Sequence, residues 1–196
     1  MKKFNEEEFN KNWIGIVSLL QSNERLSKVD FQSLGEQLKN CAGALDDDSG
    51  IAYPGGLAEH MFKSMCLAAW EANMLNKKCP SFSIDINSLY LVTFLMQISK
   101  IEMFMKNPDE YQASKFGKNY TFAETEGKLK SGLRSVVWCM NHGIALTPVE
   151  VEAMTVFDRD PSQASAMSQK HDNIMTTIVR QANELAYAIE RESAKK

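Results

Sequence analysis

Helical periodicity is what most limits the folds open to this chain. Leu57, Met61, Met65, Ala68, Ala72 and Leu75 recur at three- and four-residue spacing through to Asn76. Such spacing lays one apolar stripe along a helix. Leu89, Val92, Leu95, Met96, Ser99 and Met103 trace a second buried helix of about five turns, ended by Asn107-Pro108. A shorter first helix runs from Phe9 to Leu20, with Trp13, Ile16, Val17 and Leu20 on one side. Ser27 and Asp30 are spaced as an N-cap and its N3 acid, ahead of a helix carrying Phe31, Leu34, Leu38 and Cys41.

Later signals are of the same kind. Thr121 or Thr125 caps a helix bearing Leu129, Leu133, Val136, Val137 and Met140, and Asn141-His142-Gly143 closes it. Thr147-Pro148-Val149-Glu150 starts another: threonine caps, proline needs no N–H at N1, and glutamate at N3 returns the bond. The last helix spans Ala164 to Ile189, and Glu190 to Lys196 should fray. Strand-like alternation is confined to 111–122, inside a polar excursion at 107–120. These readings give an all-α class, a compact multi-helix bundle in one domain over 1–196, with N-terminal helices over 1–45.

Composition bounds the function. Hydrophobic residues are 44% and charged residues 24% of 196, enough apolar content for a real core. A net charge of −3 gives no support to a general nucleic-acid binder. Asn87, Gln97, Lys100 and Glu102 interrupt the apolar stretches well short of the ~20 residues a membrane span needs. Glu6, Glu7 and Glu8 follow Lys2-Lys3, so a secretory leader is not expected. Cys41, Cys66, Cys79 and Cys139 form no CxxC pair and read as free thiols of a cytoplasmic protein, with Cys66 and Cys139 in the core.

Several features carry a plain and a functional reading. Asp46-Asp47-Asp48 reads as a solvated turn, since it lacks the spacing of a calcium loop. Gly55-Gly56 reads as a tight turn or as a phosphate approach at a helix start. Glu59 and Lys63 are spaced to pair on a helix face. His142 suits a helix C-terminus, and Asp172 of His171-Asp172 suits a helix start. Lys106, Lys115, Lys118, Lys128 and Arg134, interleaved with Tyr111, Phe116 and Tyr120, form a candidate surface for an acidic protein or a nucleic acid.

One phrase is more specific. Tyr53-Pro54-Gly55-Gly56-Leu57-Ala58-Glu59-His60, followed by an amphipathic helix, resembles the entry motif of HD-domain phosphohydrolases. Leu91 to Glu102 resembles that family's second helix, with Met96 and Gln97 at the His-Asp positions and Lys100 kept. Leu146 to Met154 resembles a later helix leading to Phe157-Asp158, and Arg180-Gln181-Ala182-Asn183 resembles the last metal motif, with Asn183 in place of aspartate. The resemblance covers residues 51–190.

It implies an HD-like bundle whose site residues are His60, Met96, Gln97, Lys100, Asp158 and Asn183. In an active member, imidazole and carboxylate hold a divalent metal that activates water. Gln97 and Asn183 are neutral and Met96 is a poor ligand for manganese or magnesium. The resemblance therefore implies a non-catalytic descendant without a cofactor, binding a protein partner or a nucleotide. Two alternatives stand beside it. One is a metal-dependent phosphohydrolase using manganese or magnesium at His60 and Asp158. The other is a structural helical adaptor, in which His60 is a hydrogen-bonded core residue. The chain's compact proportions are also similar to those of phage-encoded proteins.

Overall fold

The computed structural model describes residues 3–125, 127, 129–157 and 172–195. They form an all-α, multi-helix bundle with one small two-stranded ribbon. In chain order the elements are α1 (Glu6–Leu20), α2 (Phe31–Asn40), α3 (Gly56–Lys78), α4 (Ile86–Leu95) and α5 (Lys100–Met103). Then come β1 (Phe104–Lys106), α6 (Glu110–Phe116), β2 (Tyr120–Phe122), α7 (Ser131–Asn141), α8 (Pro148–Val156) and α9 (Ile174–Ala194). Short 3-10 turns at Glu24–Leu26, Asp47–Ser49 and Pro80–Phe82 link the helices. No described helix is long and apolar enough to cross a membrane.

α3 is the central strut. Its stripe of Leu57, Met61, Met65, Ala68 and Ala72 is fully buried. It packs most extensively on α9, then on α4 and α1. Ala182 and Ala186 on α9 are buried as well. α4 is apolar all round and is enclosed: Leu89, Leu91, Val92, Phe94 and Leu95 are fully buried.

Local chemistry sets the helix ends. Asn5 caps α1 by accepting from the Glu7 and Glu8 amides, so α1 begins earlier than its apolar stripe. Asp30, not Ser27, caps α2: its carboxylate takes the Gln32 and Ser33 amides, while Ser27 ends the preceding 3-10 turn. α7 starts at Ser131 after Lys130 without a side-chain cap; Thr121 lies in β2. α7 also turns differently from the expected stripe. Gly132, Ser135, Val136 and Cys139 face inward, and Leu133, Val137 and Met140 are exposed. Gly132 is there because a Cβ would run into the Met154 carbonyl of α8.

The expected five-turn helix over 89–103 is broken. α4 ends at Leu95, residues 96–99 form turns, and α5 restarts at Lys100. The cause is a hydroxyl from α7. Ser135 Oγ donates to the Met96 carbonyl (3.0 Å) and accepts the Ser99 N–H (3.2 Å), taking over bonds that a continuous helix would make. α9 runs to Ala194, so the fraying expected from Glu190 is not seen there. Residues 107–119 leave the bundle between β1 and β2, which pair antiparallel with Phe104 opposite Phe122 and Lys106 opposite Tyr120. The excursion carries its own helix, α6, capped by Asp109.

A buried carboxylate ties α8 to the N-terminal half. Glu150 completes the Thr147 capping box and is fully buried. Arg25 Nη1 lies 2.9 Å from both its oxygens, and Ser88 Oγ donates to it as well. Burial pushes this carboxyl up, but bonds from Ser88, the Thr147 amide and Arg25 outweigh burial and hold it below the ordinary value of 4.5. Its contribution to stability is then complete above 4.5 and lost as pH falls through the lower folded-state value. Glu150→Gln is expected to start less stable and to lose less on going from about pH 5 to about pH 3. Parallel losses in the two proteins, followed by thermal unfolding, would contradict this.

Candidate functional site

The Pro-Gly-Gly turn sets the entry to α3. Gly55 has φ +81°, a left-handed conformation that glycine adopts without strain. Its amide donates to the Cys41 carbonyl (3.0 Å), and the Gly56 amide donates to the Tyr53 carbonyl (2.9 Å). Gly56 lies so close to the Ile51 carbonyl that a Cβ has no room. These amides are spent inside the protein, so the turn is a docking joint rather than a phosphate cradle. It delivers His60, one turn into α3, to the contact with α9.

His60 is fully buried, and both ring nitrogens are engaged. Nδ1 lies 2.8 Å from Glu190 Oε2 and Nε2 lies 2.9 Å from Asn183 Oδ1, both at hydrogen-bond distance. Asn183 Oδ1 also accepts from Gln97 Nε2 (2.7 Å). Tyr187 Oη donates to Gln97 Oε1 (3.4 Å), and Lys100 Nζ donates to Tyr187 Oη and to the Gly43 carbonyl, each at 2.8 Å. At the other end, Lys63 Nζ bridges Glu190 Oε1 (3.1 Å) and Glu59 Oε1 (3.3 Å), and the Tyr53 hydroxyl donates to Glu59. Donation runs from Lys100 through Tyr187 and Gln97 and ends on Asn183 Oδ1, which also faces His60 Nε2; this order sets the amide orientations at 97 and 183.

Packing reinforces the chain of bonds. The Tyr187 ring lies 4.1 Å from the His60 ring, and Lys100 Nζ lies 5.4 Å from the centre of the Phe104 ring. Asn183, Tyr187 and Glu190 stand at i, i+4 and i+7 on α9, so one helix face supplies three partners. Gln97 and Lys100 reach the network because the Ser135 hydroxyl breaks the helix between α4 and α5. With carboxylate beside one ring nitrogen and amide oxygen beside the other, both His60 nitrogens are taken up by protein partners. Among the described residues, no three His, Cys, Asp or Glu side chains group as a metal site.

The structure thus brings His60, Gln97, Lys100 and Asn183 together. Met96 is buried beside them in sequence, but its polar contact is the backbone one to Ser135. Asp158 and His171 lie outside the described residues, as does Lys128 of the candidate surface. Lys106, Lys115, Lys118 and Tyr120 belong to the excursion, where Lys115 is held by Tyr111 (2.5 Å). Arg134 is on α7, donating to the Gly127 carbonyl (2.9 Å). His142 caps the C-terminus of α7, its ring stacked on Trp138 at 3.7 Å. Asp172 does not cap α9; Asn173 does, and Asp172 pairs with Arg180 at 3.0 Å.

No family model, curated protein or solved structure matches this chain.

The site therefore rests on its own geometry. Sequence reasoning missed Glu190 and Tyr187, the two side chains that complete the network. Their spacing from Asn183 puts them on its helix face, but the partner they share, His60, is distant in sequence. Cys66, expected in the core, is exposed; all four cysteines are free. Burial pushes the Cys41 and Cys139 thiols up to about 12, which keeps them protonated and unreactive.

Proposed function

We propose that this chain is a non-catalytic, HD-like protein that acts by binding a protein partner, with a nucleotide as the alternative ligand. In this reading the metal centre of the family it resembles has been replaced by hydrogen bonds. The observation that carries it is the double engagement of His60, with Asn183 on Nε2 and Glu190 on Nδ1. Gln97 and Asn183 bond to each other rather than opening onto a cation, and among the described residues the carboxylate touching His60, Glu190, is shared with Lys63. A divalent ion here would have to displace satisfied bonds and would find little negative charge. A cytoplasmic protein of a bacterium or of its phage fits this reading.

Protein purified without chelator and then dialysed against manganese or magnesium is expected to hold no stoichiometric metal. It is expected to hydrolyse neither nucleotides nor phosphodiesters. Stoichiometric metal that disappears in His60→Ala, together with turnover, would overturn the reading in favour of a phosphohydrolase using His60 and Asp158.

A further inference from the structure

The α3–α9 contact leaves a cleft of about 460 Å³ on its outer side. Leu67, Trp70 and Glu71 of α3 and Gln181, Glu184 and Leu185 of α9 line it. Trp70 is 65% exposed and Leu185 47%. The two helices run antiparallel, since Lys63 meets Glu190 while Glu71 lies across from Gln181. Met74, one turn beyond Trp70, and Ile189, one turn beyond Leu185, are exposed too and lengthen the apolar strip at both ends. What sets Trp70 apart is that it sits in a contiguous apolar strip with a cleft beside it, the kind of surface that anchors a partner.

The charge around the strip selects its occupant. The charged residues lining the cleft, Glu71 and Glu184, are both acidic, and among the described residues neither makes an ion pair. The nearby Arg180 is already committed to Asp172. Burial pushes the Glu71 carboxyl up. A second copy of this chain, docked face to face about a two-fold axis, would set these carboxylates against each other. A groove between two antiparallel helices accepts a third helix through apolar residues at i, i+3, i+4 and i+7.

We propose that the Trp70 cleft docks an amphipathic helix of a protein partner, with lysines or arginines flanking its apolar stripe. This rests on the partner-binding reading and gives it a place and a chemistry. Trp70 is the anchor, and Glu71 and Glu184 set orientation and charge preference.

The test uses the full chain and two synthetic helical peptides with identical leucines. One carries flanking lysines and the other flanking glutamates. Binding is read by calorimetry and by tryptophan fluorescence. The lysine peptide is expected to bind and the glutamate peptide to bind at least about tenfold more weakly. Trp70→Ala, and separately Glu71→Gln with Glu184→Gln, should each weaken the lysine peptide about tenfold, with unfolding temperature unchanged. Asp46→Asn with Asp48→Asn, an acidic pair elsewhere on the surface, should leave binding as it was. Equal binding of both peptides, or sensitivity to the Asp46 and Asp48 changes but not to those at Trp70, Glu71 and Glu184, would overturn the proposal. So would a concentration-dependent dimer abolished by Trp70→Ala, which would assign the cleft to a second copy. Metal content is measured independently, so failure of the cleft and failure of the metal-free reading are separate results.

Discussion

Glu190→Ala is expected to cost about 3–5 kcal/mol of stability, because it removes one member of a buried charge network and strands the others. Glu190 is 2% exposed and takes bonds from His60 on one oxygen and Lys63 on the other. Without it, His60 Nδ1 loses its acceptor in an enclosed site, and Lys63 keeps only Glu59. In a domain of this size the change corresponds to a fall in unfolding temperature on the order of 10 °C. Glu190→Gln keeps an acceptor for His60 but turns an amide toward Lys63, so it should fall between wild type and alanine. Glu184→Ala, on the exposed side of the same helix, is the comparison and should shift stability by less than about 0.5 kcal/mol. Urea unfolding of the four proteins checks the order. A Glu190→Ala protein as stable as Glu184→Ala would mean that the network does not hold α9 to α3.

The second large effect lies at the α3 entry. Gly56→Ala places a methyl group against the Ile51 carbonyl and close to the Gly43 amide. Both are backbone atoms, joined to each other by the Gly43 N–H to Ile51 carbonyl bond (2.9 Å), so neither can move aside as a side chain would. Overpacking of this kind costs about 1–3 kcal/mol. Gly43 also accepts from Lys100 through its carbonyl, so the damage should reach the network. We expect Gly56→Ala to lower the unfolding midpoint and to speed amide exchange at the start of α3. Full stability in Gly56→Ala would mean that the turn relaxes freely and that its sequence is not set by this joint.

What the sequence disclosed follows from the range of the interactions involved. Helix identity, the Thr147 capping box and the Glu59–Lys63 pair are local and could be read directly. The expectation for α7 failed because periodicity gives a stripe but not the direction it faces. Leu133, Val137 and Met140 match helical spacing as well as the buried Val136 and Cys139 do. The break at 96–99 was hidden because its cause, Ser135, is distant in sequence. Within the site, resemblance to the HD family singled out His60, Gln97, Lys100 and Asn183, and the structure joins these four. Glu190 was hidden by its position near the C-terminus, where fraying is the default expectation. What kept it ordered is a buried histidine 130 residues away, which no local rule sees. Trp70 lies off the Leu57–Leu75 stripe, and the cleft it lines exists only where α9 packs on α3.

The central claim is that the His60 ring is fully consumed by protein partners. Protein labelled with nitrogen-15 in its histidines, titrated with manganese up to equimolar, tests it most directly. Both His60 ring nitrogens should show hydrogen-bonded signals, and those signals should keep their intensity as the paramagnetic ion is added. His142, on the surface of α7, serves as the internal reference. Selective loss of the His60 signals at stoichiometric manganese would place a metal at the ring and contradict the account.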